Sequence, residues 1–347
     1  MRHAALKLLS LRAVALLLFL FTLTSFLVAC SSNTSRPPSS DVSTSVSQST
    51  ADPQFACQQK KPATELTLSG LDYGPYRAGE NPNYGIFPSA QEIDTDMPTL
   101  ACLTNEIRIY SSLGSAQQIV RDAEQARMSV NLGIWLGSDT TANAQEIAAG
   151  LQLAAYRAVN AVTVGNEAVL RRDISVDALR STIRQVRARP GRTVPITTAD
   201  IDTTWLAHPE LANDVDFITV NLYPFWGGVP IALAIQSLDA AYKRLQAAFP
   251  SKQIVIGETG WPSNGPPHSA AVPGAANQSY YLREFTAWAR QNHVSYFYFD
   301  AFDEDWKTNE SGVGTHWGLY QANGTLKPAL IDLLPAAALA TMPRQEQ

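Results

Sequence analysis

The sequence predicts a single (β/α)8 TIM barrel, on three observations. Eight short apolar runs alternate with stretches of helical periodicity. The segment able to fold is about 280 residues long. Polar and aromatic side chains collect just after the apolar runs. The runs fall at 66–71, 107–110, 129–135, 161–165, 194–197, 217–222, 254–257 and 295–299. Between them, Ser89 and Glu92 carry the signature of a capping box that opens the first helix. Asn143 with Glu146 marks a second helix start. Residues 144–158 and 176–189 place apolar groups three and four apart, and Pro190-Gly191 ends the latter stretch. A helix at 233–249 stops at Pro250, and one at 280–292 leads into the last run. Alternation repeated eight times argues for parallel strands with helices outside. The competing arrangement, an open doubly wound sheet, carries a glycine-rich turn after its first strand. Here that position reads Asp72-Tyr-Gly-Pro-Tyr-Arg77, which is no such turn.

The first residues are not part of the barrel. Residues 1–29 start with Arg2, Lys7 and Arg12, continue through an apolar stretch and finish in small residues, as a secretory signal does. An uncleaved anchor is the alternative, since roughly 20 apolar residues span a bilayer. Leu27-Val-Ala-Cys30 resembles a bacterial lipobox, which implies a lipid on Cys30 as first residue of the mature chain. The expected localisation is therefore extracytoplasmic and lipid-anchored at the cell envelope. Ser31 favours the outer membrane if the cell is Gram-negative. Residues 30–61 are rich in Ser, Thr and Pro and too poor in large apolar groups to fold, so they form a tether. The barrel occupies 62–347.

The chain carries formal charge −5, and loss of the three basic residues in 1–29, which holds no acidic ones, moves it to about −8. No Lys/Arg cluster appears, which argues against nucleic acid as a partner. A neutral polymer suits this surface better. The five histidines are scattered without metal-ligand spacing, so neither metal nor organic cofactor is expected. Besides Cys30, the cysteines are Cys57 and Cys102; they either bridge the tether to the first helix or stay as buried thiols. A monomer is expected.

In a barrel the chemistry sits at the C-terminal strand ends. Those ends supply Tyr73, Arg108, Tyr110, Trp135, Asn166, Glu167, Asp200, Asn221, Tyr223, Trp226, Glu258, Trp261, Glu304, Trp306 and Lys307. Two carboxylates stand out, because each closes an apolar run: Glu167 after 159–166 and Glu258 after 253–257. Cleavage of a glycosidic bond needs one protonated carboxyl and one ionised carboxylate. Asn166 is placed to bond a sugar hydroxyl, and Tyr223 to donate a hydrogen bond to Glu258. Flat aromatic groups suit the C–H faces of sugar rings.

At these residues the sequence resembles glycoside hydrolase family 17 of clan A, the β-1,3-glucanase family. The motifs are Arg108-Ile-Tyr110, Val164-Gly-Asn-Glu167, Asn221-Leu-Tyr-Pro224, Gly257-Glu-Thr-Gly-Trp-Pro-Ser263 and Phe302-Asp-Glu-Asp-Trp-Lys307 followed by His316-Trp-Gly-Leu-Tyr320. The resemblance spans about 66–330. It implies a retaining enzyme on β-1,3-glucan, with Glu167 as acid/base and Glu258 as nucleophile. Tyr73, Arg108, Tyr110, Asn166, Tyr223, Trp226, Trp261, Glu304, Trp306 and Lys307 are its substrate-binding candidates. The opening Gly70-Leu-Asp-Tyr-Gly-Pro-Tyr-Arg77 is similar to bacterial and fungal members, some of them β-1,3-glucanosyltransferases. Transfer of glucan chains is accordingly preferred over endo-hydrolysis. A non-catalytic glucan-binding barrel and a clan A enzyme for another glucan linkage are the other readings.

Overall fold

The computed structural model describes residues 66–335 apart from 190 and 192. The expected leader, the expected lipidation position Cys30, the expected tether and Cys57 lie outside the described residues. Seven strands form one parallel sheet in sequential order: β1 Leu71–Asp72, β2 Glu106–Ile109, β3 Ser129–Ile134, β4 Val159–Asn166, β5 Ile196–Ile201, β6 Ile218–Asn221 and β7 Ile254–Glu258. The eighth position is filled by 295–299. Tyr296 bridges to Ile256 of β7 and Tyr298 to Leu71 of β1, both parallel. Those two bridges close the sheet into the (β/α)8 barrel expected from the alternation.

The closing segment reads Tyr296-Phe-Tyr-Phe299, and its period of two sorts the rings. Tyr296 and Tyr298 face outward onto Phe285, at centroid separations of 4.8 and 6.3 Å. Phe299 faces the barrel mouth, edge-on to Tyr223 and Trp317. Alternation also explains β2, where buried Ile107 and Ile109 flank Arg108, which is 1 % exposed. All of β7 is buried, as its unbroken apolar run predicts.

The helices are α1 Ala90–Leu103, α2 Ala116–Gln125, α3 Thr140–Leu153, α4 Val176–Arg187, α5 Asp202–Ala207, α6 Ala234–Ala248 and α7 Ala275–Gln291. Ser89 and Glu92 form the expected reciprocal capping box on α1. In α4, Leu179, Ile183 and Val186 form the buried stripe, Ser175 caps the start and Arg184 and Arg187 sit in the last turn. Two expectations need correction. α3 starts earlier than Asn143, because Asp139 accepts hydrogen bonds from Thr141 and Ala142. Asn143 instead braces Gly137 through its amide, at 2.8 Å in both directions. The first run pairs only at its end, so β1 begins at Leu71 rather than 66. Cys102, at the end of α1, is disulfide-bonded.

A buried ion pair fixes the extension that follows the barrel. Lys327 Nζ donates to Asp303 Oδ1 and Ser263 Oγ at 2.8 Å and to the His316 carbonyl at 3.1 Å. Burial pushes the Asp303 carboxyl up to about 6, against the pull of Lys327. Removing one partner of a buried pair leaves an uncompensated charge. Lys327→Met is therefore expected to destabilise the barrel by about 3–5 kcal/mol, read from urea unfolding. A loss below about 1 kcal/mol, the worth of a surface pair, would show that the pair is solvent-screened.

Candidate active site

The two glutamates meet across the barrel mouth because of irregularities in the strands that carry them. β4 slips register between Thr163 and Asn166 where it pairs with β5. Gly165 has φ +77° and Glu167 φ +51°. This bulge turns two consecutive residues, Asn166 and Glu167, toward the same cleft, which a regular strand forbids. Across the mouth, Asn221 at the end of β6 pairs with Glu258 at the end of β7 after a second register shift. The Asn221 amide donates to Glu167 Oε1 at 2.8 Å and to Asn166 Oδ1 at 3.2 Å.

Beneath the pair lies Arg108. Its Nη1 donates to Glu258 Oε1 (3.0 Å), Asp72 Oδ1 (3.0 Å) and the Gly257 carbonyl (3.1 Å). Its Nη2 donates to Asn166 Oδ1 at 2.9 Å. The Tyr223 hydroxyl donates to the other Glu258 oxygen at 2.9 Å. Both oxygens of Glu258 thus accept, the pattern of an ionised carboxylate. Glu167 stands in a different field. Burial first, then the charge of Glu258, raise its pKa from 4.5 to about 7, while the Asn221 hydrogen bond pulls it down. Two neighbouring carboxyls in unlike surroundings make an acid and a base available at neutral pH.

The surrounding cleft has a volume of about 1020 Å³. Among the sequence-derived candidates, Tyr73, Tyr110, Asn166, Glu167, Tyr223, Trp226, Glu258, Glu304, Trp306 and Lys307 all border it. Tyr73 gives its hydroxyl to Asp96 of α1 at 2.7 Å, so only its ring serves the cleft. Arg108 lies below the floor and acts through the side chains it holds. Glu304 receives the Trp306 indole N–H at 3.0 Å and pairs with Lys307, whose ammonium stands 4.4 Å over the Phe299 ring. Trp261 is a correction: it is fully buried, packs on Phe225 and Tyr281, and donates to the Val272 carbonyl at 2.9 Å. It supports the wall from behind. Gly260 beside it has no room for a side chain, since a Cβ there would collide with the Phe299 carbonyl. Among the described residues, no group of three His, Cys, Asp or Glu is placed to hold a metal ion.

Groups outside the substrate-binding candidates also shape the site. Asn221 donates to Glu167 at the cleft surface, and the buried Asp72 accepts from Arg108 below the floor. Trp317, nearly buried, backs Tyr223 and Trp226 at 5.3 and 5.7 Å. Glu310 joins the Lys307 side, its pKa raised by burial. The strand-end position of Asn221 is a usable signal for it. Trp317 and Glu310 sit on the loop after the eighth segment, where strand periodicity gives no position.

Comparison with known proteins places the chain among glycoside hydrolases. The BtgE/BtgC glycoside hydrolase domain profile matches residues 70–318. The Emericella nidulans protein named glucan endo-1,3-beta-glucosidase btgC is 28 % identical over 295 residues, 75 % of this chain and 45 % of that protein. This chain thus spans less than half of that relative's length. The glucan 1,3-beta-glucosidase of Schizosaccharomyces pombe is 32 % identical over 253 residues, covering 67 % of this chain and 78 % of that one. The crystal structure of a glycoside hydrolase family 17 β-1,3-glucanosyltransferase from Rhizomucor miehei superposes with TM-score 0.67 at 26 % identity, over 76 % of this chain and 96 % of that chain.

The coupling between the glutamates gives a direct test. A ¹³C titration of the side-chain carboxyls should find Glu167 near 7. In Glu258→Gln the neighbouring charge is gone, so the Glu167 value should fall yet stay above 4.5 because burial persists. In Asn221→Ala it should rise, since the bond favouring the ionised form is lost. A Glu167 value unmoved by Glu258→Gln would show that the two do not interact.

Proposed function

The chain belongs to the BtgE/BtgC glycoside hydrolase domain family, and from that premise we propose that it is a retaining enzyme acting on β-1,3-glucan, with transfer of glucan chains as its main reaction. The carrying observation is the unlike pair: Glu167, buried and pushed up to about 7, and Glu258, held by Arg108 and Tyr223 as an acceptor. The glucan-acting names of the relatives and the glucanosyltransferase fold support the substrate.

The steps follow from the chemistry of two carboxyls. Glu167 gives its proton to the glycosidic oxygen while Glu258 attacks the anomeric carbon; the C–O bond to the leaving chain breaks and a glycosyl ester on Glu258 forms. Glu167, now ionised, removes a proton from the incoming hydroxyl, which displaces Glu258. Water gives hydrolysis, and a sugar hydroxyl gives transfer. Arg108 holds the carboxylate that attacks. Asn221, which also donates to Asn166, orients the acid. We also propose export and lipid anchoring through Cys30, supported by the lipobox-like end of the leader, and action as a monomer.

Product analysis on laminarihexaose separates the reactions: products longer than the substrate mean transfer, and shorter ones alone mean endo-hydrolysis. Glu167→Gln should cut kcat by about 10²–10⁴-fold, and Glu258→Gln should abolish the glycosyl-enzyme seen by mass spectrometry. For the wild type, kcat/KM should decline as pH rises through about 7, where free Glu167 loses its proton. Cleavage at wild-type rate in Glu258→Gln would remove the assigned nucleophile. Binding without products in the wild type would favour a glucan-binding barrel.

A further inference from the structure

Resting on the retaining reading above, we propose that Asp72 is a positioning residue that acts through Arg108: it becomes the guanidinium's counter-charge when Glu258 turns into a glycosyl ester. No step of the mechanism so far uses Asp72. Esterification removes the negative charge of Glu258, whereas a guanidinium keeps its positive charge throughout. Arg108 is 1 % exposed, so water cannot replace the lost partner. The replacement has to come from the protein, and Asp72 is placed to supply it. It is fully buried, and its Oδ1 accepts from Arg108 Nη1 at 3.0 Å. The same nitrogen serves Glu258, also at 3.0 Å.

Backbone pairing keeps Asp72 in that position. It stands level with Arg108 in the β1–β2 register. Its N–H donates to the Tyr298 carbonyl at 3.0 Å, and its carbonyl accepts from the Ala301 N–H at 2.9 Å. The titratable and charged groups that act on its carboxyl, or feel it, come from every neighbouring element. They are Arg108 and Tyr110 on and after β2, Tyr223 after β6, Glu258 on β7 and Asp300 after the eighth segment. Burial and the charge of Glu258 disfavour an ionised Asp72, while Arg108 and Tyr110 favour it. Esterification takes Glu258 off the first side and leaves Arg108 and Tyr110 in place, so Asp72 gives up a proton. An exit for that proton exists. Asp72 Oδ2 and the Tyr110 hydroxyl are both buried without a hydrogen-bond partner among the described residues, and Tyr110 borders the cleft. The step balances: Glu167 protonates the leaving oxygen, the ester forms on Glu258, and the Asp72 proton passes to cleft water. When the ester is displaced, Asp72 takes a proton back and Glu258 regains Arg108.

The test uses Glu167→Gln protein with dinitrophenyl β-laminaribioside. The phenolate leaves without an acid, and loss of the Glu167 base lets the ester on Glu258 accumulate, where mass spectrometry counts it. Removing Glu167 also removes the other carboxyl whose proton the charge of Glu258 affects. Infrared difference spectra at neutral pH, with aspartate carboxyls ¹³C-labelled, compare the free and glycosylated protein. Ester formation should remove one protonated aspartate band and add one carboxylate band. Asp72→Asn in the same background should abolish that change. The asparagine keeps the shape and the acceptor for Arg108 but carries no charge, so it should slow ester formation about 10- to 100-fold. The spectrum of the protein that retains Asp72 decides the matter if the asparagine variant does not fold. Ester formation with no change in the aspartate bands overturns the counter-charge role alone. So does a band change that persists in Asp72→Asn, or an asparagine variant that forms the ester at the parent rate. Absence of any ester while Asp72 is present overturns the retaining reading, and this role with it.

Discussion

A guanidinium that is 1 % exposed must be matched by charge, and at the floor of this cleft Arg108 meets two carboxylates, Asp72 and Glu258, each 3.0 Å from the same nitrogen. One positive charge does not balance two negative ones in a low-dielectric setting. Burial, reinforced by the charge of Glu258, drives the Asp72 pKa well above the usual carboxylate range. Arg108 is thus shared between two carboxyls, and of the two Asp72 is the one whose ionised form its surroundings disfavour. Because Arg108 also holds Asn166, this one side chain joins the ends of β1, β2, β4 and β7. The position of both glutamates depends on it.

The same logic separates the glutamates chemically. Glu258 has two donors committed to it, one of them cationic. Glu167 has a single neutral amide and a desolvated, negatively charged neighbourhood. Nothing in the immediate sequence around either residue encodes this difference: Glu167 and Glu258 each end an apolar strand. The asymmetry is made by residues far off in the chain, Arg108 and Asn221, brought in by barrel closure.

That explains what the sequence revealed and what it hid. Strand positions were legible because parallel barrel strands are buried on both sides and appear as unbroken apolar runs, as in β7. The capping box at Ser89 was legible because it is local. The bulge at Gly165 was not, since a register shift is a relation between two strands. Without it Asn166 and Glu167 would point to opposite faces. Trp261 follows a catalytic-type strand end and borrows its apparent importance from that neighbour. Burial against Phe225 and Tyr281 decides its role, and no sequence period reports on packing across a loop. Asn143 has the composition of a helix cap, yet Asp139 captures that role because it stands where the chain is still extended, with φ −84° and ψ 107°.

Under the proposed mechanism, the fate of a glycosyl unit on Glu258 turns on a competition that the two glutamates alone do not bias. Water is present at tens of molar and an oligosaccharide at about a millimolar, a handicap of roughly 10⁴–10⁵, or about 6–7 kcal/mol. In that mechanism Glu167 would activate either nucleophile in the same way, so the difference has to come from binding and orientation of the acceptor. A wall of aromatic side chains is the available source. Trp226 is backed by Trp317 and Phe225, and Trp306 is fixed by Glu304 and flanked by Tyr76. Such rings are rigid before any sugar arrives, and preorganisation spares the entropy that a flexible site would lose on binding. Selection between hydrolysis and transfer would then reside in how firmly these rings are held, by the buried Trp261 behind the wall and by Glu304 at the cleft edge.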